Sequence, residues 1–87
     1  MEVHLYITER LPVGLDELED SLDQAFEGIG EVTGIGTGKR GSNIDLLVAS
    51  EEVSKVQAVE LVRKALTPFD LPVSSRIVVE GQEFLIR

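Results

Sequence analysis

The order in which hydrophobic periods change along this chain constrains its fold more than any other feature. Three aliphatic residues near the N-terminus alternate with other residues, and this period of two predicts a strand over residues 2–8. Apolar residues then recur at the helical period over residues 15–26. Period two returns after this segment, and a second helical stretch precedes the C-terminal region. The chain therefore predicts two helices, each flanked by strands.

Two strands are expected between the helices. The segment 30–37, GEVTGIGT, predicts a strand that Gly34 and Gly36 weaken or bulge. Aliphatic residues alternate again over 44–48 and predict the third strand. A turn over 38–42 would join these two strands into a hairpin.

The second helix and the C-terminal tail complete the pattern. We expect Ser50 to cap the second helix, with two glutamates in its first turn, and Pro68 to end it. The tail 76–87 is nearly symmetric about Gly81-Gln82. It predicts a hairpin with glycine first in a tight turn, or one long strand broken at Gly81. In the hairpin, the facing pairs would be Val79 with Phe84 and Ile77 with Ile86.

The order strand, helix, two strands, helix, strand is the ferredoxin-like βαββαβ pattern, an α+β fold. We expect an antiparallel sheet with both helices on one face and an extra C-terminal strand. Eighty-seven residues are too few for two cores, so residues 1–87 are expected to form a single domain. The side chains expected between sheet and helices are Leu5, Ile7, Leu18, Leu22, Phe26, Leu46, Val59, Val62 and Ile77.

Composition excludes several classes of site. The chain has no cysteine, which excludes disulfides, thiolate nucleophiles and cysteine-based zinc sites, and its one histidine, His4, excludes a two-histidine metal site. No apolar run approaches the roughly 20 residues of a membrane helix, and the N-terminus lacks a signal-peptide pattern. We therefore expect a cytoplasmic protein that uses no cofactor.

The distribution of charge is the main clue to function. The formal net charge is −8, and residues 1–38 hold nine acids and one base, whereas the rest of the chain is neutral. A field this negative repels phosphate backbones and anionic lipids, so we expect neither nucleic acid nor a membrane as partner. A basic protein or a cation is favoured instead.

The first helix concentrates this charge. Its segment LDELEDSLDQAFE contains six acids and no base, and like charges three or four residues apart cost roughly 0.2–0.5 kcal/mol per pair. A destabilising pattern without local gain points to function, and the alternative is a solvated face that favours solubility. The residues predicted to bind the partner are Asp16, Glu19, Asp20, Asp23 and Glu27.

A glycine-rich stretch invites a nucleotide-binding interpretation. Gly36, Gly38 and Gly41 match G-x-G-x-x-G, but that fingerprint must open a helix, and here it leads into a predicted strand. A P-loop is excluded because Arg40 stands where serine or threonine is required. We favour a structural hairpin. The alternative is an anion-binding loop of Gly36, Gly38, Lys39 and Arg40.

His4 and Asp45 are the one conceivable acid–base couple, and both are expected on the helix-free face of the sheet. No nucleophile or metal is evident for them to serve, so we favour a structural pair. The same face is expected to carry a partly apolar patch, through which the protein could form a homodimer. The patch residues are Tyr6, Leu47, Val78 and Leu85.

The run GEVTGIGTGKRGSNIDLLV, residues 30–48, resembles a pattern of small uncharacterised bacterial ferredoxin-like proteins. That resemblance implies no catalytic residues. In size and in its acid-only helix the chain is also similar to immunity proteins and barstar-type inhibitors, which mask basic toxins. This second likeness is one of size and charge, and it implies that an acidic face can be a binding face.

These observations favour a non-enzymatic protein-binding module, most specifically an immunity or inhibitor protein that neutralises a basic toxin or enzyme through its first helix. Two alternatives remain open: a homodimeric regulatory domain that binds a ligand near the glycine-rich hairpin, and an enzyme that uses His4 and Asp45. We also expect that neutralising Asp20 and Asp23 leaves stability unchanged or slightly higher while weakening partner binding.

Overall fold

The fold is an α+β arrangement of seven elements. The computed structural model describes residues 1–8, 14–38 and 41–86. Within them, the α+β class with an antiparallel sheet and two helices is confirmed. The elements are β1 (Glu2–Ile7), α1 (Leu15–Ala25), β2 (Gly30–Gly38), β3 (Gly41–Val48), α2 (Lys55–Leu66), β4 (Arg76–Val79) and β5 (Gln82–Leu85).

The five strands form one antiparallel sheet in the order β2-β3-β1-β4-β5. Strand β1 pairs with β3 on one side and with β4 on the other. Strands β2 and β5 therefore form the two edges of the sheet. This order differs from that of a four-stranded ferredoxin-like sheet, so the assignment of the chain to the ferredoxin-like fold stays a prediction.

A single hydrophobic core lies between the sheet and the helices. Alternate residues of β1, β3 and β4 and the apolar stripes of both helices belong to one cluster of buried side chains. Both helices therefore cover the same face of the sheet. All nine residues expected in the core are buried, and each is no more than 2% exposed.

The start of α2 corrects the sequence-based expectation. The helix begins at Lys55, and its N-cap is Ser54 instead of Ser50. The Ser54 hydroxyl accepts from the Gln57 backbone N–H, and the Gln57 side chain accepts from the Ser54 N–H. This capping box satisfies two backbone donors that the helix leaves unpaired. Ser50 instead accepts from the Glu52 N–H in a separate turn.

The C-terminal hairpin forms, but its centre lies one residue earlier than expected. Its turn residues are Glu80 and Gly81, with φ of 49° and 81°. A two-residue turn with positive φ at both positions is of type I′, which matches the twist of paired strands. Glycine thus occupies the second turn position. The pairs are Val79 with Gln82 and Ile77 with Phe84.

The two serines before α2 provide a test of where this helix begins. We expect Ser54→Ala to lower the free energy of unfolding by about 1 kcal/mol, because it removes the capping hydroxyl. The matched variant Ser50→Ala should change it by less than about 0.5 kcal/mol. Urea denaturation of both variants makes the comparison. A larger loss of unfolding free energy for Ser50→Ala than for Ser54→Ala would indicate that the helix begins at Ser50, as the sequence predicts.

Candidate functional site

Four acids of α1 lie on one side of that helix. At 3.6 residues per turn, Asp16, Glu19, Asp20 and Asp23 fall within an arc of about 100°. Leu18, on the core side of the helix, is fully buried. Asp16, Asp20 and Asp23 are exposed and Glu19 is partly buried. Glu27 follows the end of the helix and is also exposed.

Two hydrogen bonds establish where this acidic side faces. On one side of α1 the Ser21 hydroxyl donates to the Ala65 carbonyl of α2, at 2.7 Å. On the acidic side the Asp23 carboxylate accepts from the backbone N–H of Val32 in β2, at 3.1 Å. The acidic side of α1 therefore borders the edge strand β2. We call this side of α1, together with the outer edge of β2, the acidic edge.

The acids of α1 have no cationic partner within the described part of the chain. The ion pairs found there join His4 to Glu2 and Asp45, Lys55 to Glu80, and Arg63 to Glu60. The last of these pairs lies within α2, where Glu60 and Arg63 are 2.9 Å apart. The negative charge of the acidic edge is consequently not neutralised by the residues that surround it in the described structure.

Among the described residues, strand β2 leaves part of its backbone unpaired. The backbone N–H and C=O groups of Val48 in β3 both form hydrogen bonds with Met1, on the β1 side of the strand. Because backbone groups alternate in direction along an antiparallel strand, those of Asn43 and Asp45 point to the other side, toward β2. Their partners in β2 are Gly36 and Gly34. The N–H and C=O groups of the alternate residues, Ile35 and Thr37, consequently point outward from the sheet.

The first half of β2 is protected, in contrast to its second half. The Asp23 carboxylate accepts a hydrogen bond from the outward N–H of Val32, and a bulge interrupts the register between Val32 and Gly34. Bulges and covering side chains are common means of protecting a sheet edge. Beyond the bulge, Ile35 is 40% exposed and Thr37 is also exposed. The open part of the edge therefore begins after the bulge.

The opposite edge of the sheet is short and covered at one point. Strand β5 has four residues. Its pairing with β4 turns Leu85 outward, and the Leu85 carbonyl accepts from Nε and Nη2 of Arg63 in α2, at 3.1 and 3.0 Å. As far as the described residues show, β2 is thus the edge with the longer stretch of backbone free of hydrogen bonds.

His4 and Asp45 meet on the helix-free face, as expected from the strand pattern. They pair across β1 and β3, and Nδ1 of His4 donates to Oδ1 of Asp45 at 2.8 Å. Nε2 of His4 lies 4.0 Å from Oε2 of Glu2. Gly34 makes room for the Asp45 carboxylate, because a Cβ there would lie 3.2 Å from Oδ2. The pair ties β1 to β3 on this face.

The predicted apolar patch is interspersed with polar residues. Tyr6, Leu47 and Leu85 are 47%, 40% and 56% exposed, and Val78 is partly buried. Leu47 pairs with a glutamate on each side, one in β1 and one in β2. Leu85 pairs with Arg76, which also pairs with Tyr6. Polar residues are therefore the direct cross-strand partners of the apolar ones.

The glycine motif ends one strand and starts the next. Gly36 and Gly38 belong to β2, and Gly41 opens β3, so the motif leads into a strand. A side chain at Gly41 would collide with the carbonyl oxygen of Ile7, which explains that glycine by close packing. The predicted anion-loop residues Lys39 and Arg40 lie outside the described residues, and the loop remains a prediction.

The described residues contain neither a cluster of metal ligands nor a membrane-spanning helix. Across residues 1–8, 14–38 and 41–86, no three histidine, aspartate or glutamate side chains are grouped so as to hold a metal ion. Neither helix in these ranges has the length and apolar character needed to cross a bilayer. Comparison of the chain with protein-family models, curated proteins and solved structures finds no match.

The hydrogen bond of Asp23 suggests a test within α1. We expect Asp23→Ala to be less stable than Asp20→Ala by about 1 kcal/mol, because only Asp23 satisfies a strand amide. The two variants share the same change in helix propensity and a similar loss of repulsion. Chemical denaturation measures the difference. Equal stabilities would mean that the bond to Val32 contributes nothing.

Proposed function

We propose that this chain is a small protein-binding module that captures a basic partner through its acidic edge. The observation that carries the proposal is the placement of four α1 acids beside the unpaired edge of β2, without a described cationic partner. Such acids repel one another in the free protein. A basic partner would relieve this repulsion on binding.

The net charge supports the same proposal at longer range. A formal charge of −8 creates a field that attracts a basic protein before contact and raises the rate of association. The charges at the acidic edge would then select the orientation of the partner. Their contribution should weaken with salt, because the Debye length falls from about 10 Å at 0.1 M to about 3 Å at 1 M.

The most specific form of the proposal is an immunity or inhibitor protein that neutralises a basic toxin or enzyme in the cytoplasm. In this interpretation the first four strands and both helices are a ferredoxin-like unit, and β5 is an addition at the β4 edge. The consecutive elements β1-α1-β2-β3-α2-β4 support that assignment. A fold of this kind is compatible with many functions, so the function rests on the acidic edge.

The two alternatives have less support from the surface of the sheet. Among the paired positions of the helix-free face, Arg76 is the one basic residue, and the acidic residues are Glu2, Glu31, Asp45 and Glu83. A homodimer through this face would bring two copies of each of them together. This excess of like charge opposes association. An enzyme that uses His4 and Asp45 would need a nucleophile or a metal beside the pair. The described side chains next to His4 are Tyr6 and Glu2, and no group of metal ligands is found among the described residues.

A charge-matched pair of variants tests the proposed function. The partner is captured from native lysate with the wild-type protein, identified by mass spectrometry, purified and titrated. We expect Asp16→Asn/Asp20→Asn to bind it about tenfold more weakly at 50 mM salt, with a smaller difference at 500 mM. A toxin or enzyme captured in this way should lose activity in the complex.

The control variant is Glu51→Gln/Glu52→Gln, which removes the same charge at exposed positions outside α1. It should bind almost as tightly as the wild type, since only the long-range field changes. If the α1 double variant binds with wild-type affinity and the same salt dependence, the acids are only a solvated surface. Equal weakening by both double variants would show that net charge acts without a specific face.

A further inference from the structure

The open part of β2 is long enough to pair with another strand. Ile35 and Thr37 present two N–H and two C=O groups outward, which would form four hydrogen bonds with an added strand. The ladder bonds to β3 are made by the flanking glycines, and outside that ladder no backbone hydrogen bond of Ile35 or Thr37 is found among the described residues. The flanking glycines Gly34 and Gly36 carry no side chain on the helix-free face.

The acids of α1 lie beside this open part. Helix α1 and strand β2 are joined by a tight turn and pack against each other, so they run in opposite directions. From Asp23, which contacts Val32, the helix rises about 10 Å to Asp16. Because of the bulge, the partners of Val32 and Ile35 in β3 are only two residues apart, so the strand advances about 7 Å from Val32 to Ile35 and about 13 Å to Thr37. Asp16 and Glu19 are therefore level with the open backbone.

The side chains of an added strand would meet two different surfaces. Ile35 pairs with the buried Ile44, so its side chain lies on the helix side of the sheet. Alternate residues of the added strand would point to this same side, toward Ile35 and the carboxylates of α1. The side chains of the residues between them would lie on the helix-free face, beside Gly34 and Gly36. Lysine or arginine at every second position fits this arrangement.

We propose that the partner binds by adding a basic extended segment to the outer edge of β2, with its lysine or arginine side chains directed at Asp16, Glu19 and Asp20. This mode rests on the proposed function and specifies how the partner is held. A second copy of this chain is a poorer occupant, because pairing β2 with β2 would bring two acidic helices together. Backbone bonds would give affinity, and the acids would give selectivity.

Synthetic peptides test this binding mode on the full wild-type chain. The probe is a capped nine-residue peptide of alternating lysine and valine. We expect it to bind and to slow amide hydrogen exchange of Ile35 and Thr37 at least tenfold, as measured by NMR. The same peptide methylated on its three central backbone nitrogens keeps its charge but loses donors, and it should bind at least tenfold more weakly.

A variant pair provides a second measurement. Thr37→Pro removes an outward N–H without taking a bond from the β2–β3 ladder, and it should weaken binding of the lysine–valine peptide. Thr37→Val keeps the N–H and should bind it as the wild type does. If Thr37→Pro fails to fold, the exchange and methylation measurements on the wild-type chain still decide the outcome.

The possible failures separate the two proposals. Tight binding of the methylated peptide without protection of Ile35 and Thr37 would overturn strand addition and leave an acidic binding surface. A glutamate–valine peptide that binds as tightly as the lysine one would contradict charge selection and the proposed function with it. No binding of either peptide would overturn strand addition at this edge, as would self-association through the same two amides in sedimentation and exchange measurements.

Discussion

The arrangement of the whole molecule depends on β1, the strand that is paired along both of its sides. Its odd-numbered residues bond to β3 and its even-numbered residues bond to β4, while the aliphatic side chains of Val3, Leu5 and Ile7 enter the core. Strands β3 and β4 are joined through α2, which must cross over β1 to connect them. Once β1 is central, β2 and β5 are left as edges.

Local patterns in the sequence predict β1, β3 and the two helices well because each of these elements is amphipathic. The period of two in β1 and β3 and the helical period in α1 correctly identify the residues that reach the core, such as Leu5 and Phe26. The start of α2 was harder to predict, because Ser50 and Ser54 are both good caps. The decision depends on Gln57, which completes the capping box. In the tail, Glu80 adopts positive φ, which its residue type does not favour.

The candidate site is less predictable, because it depends on which elements become neighbours. Helical spacing alone places the α1 acids on one side, and strand alternation alone places His4 and Asp45 on one face. Neither pattern predicts that the acidic side borders the edge of the sheet. That relation, like the hydrogen bond from Val32 to Asp23, follows from the order of strands and the packing of α1 on β2. Residues 23 and 32 carry no local sign of their contact.

An exposed sheet edge is ordinarily a hazard, and the acids of α1 bear on that hazard as well as on binding. Unpaired backbone groups accept any extended chain, including another copy of the same protein. Carboxylates beside the open part of β2 oppose pairing with a second acidic copy and favour pairing with a basic segment. The same charges therefore act against self-association and in favour of the basic partner. The bulge and Asp23 restrict the exposed backbone to the residues after Thr33. Repulsion within α1 and an incomplete sheet edge are thus two local costs that a single basic strand would relieve together.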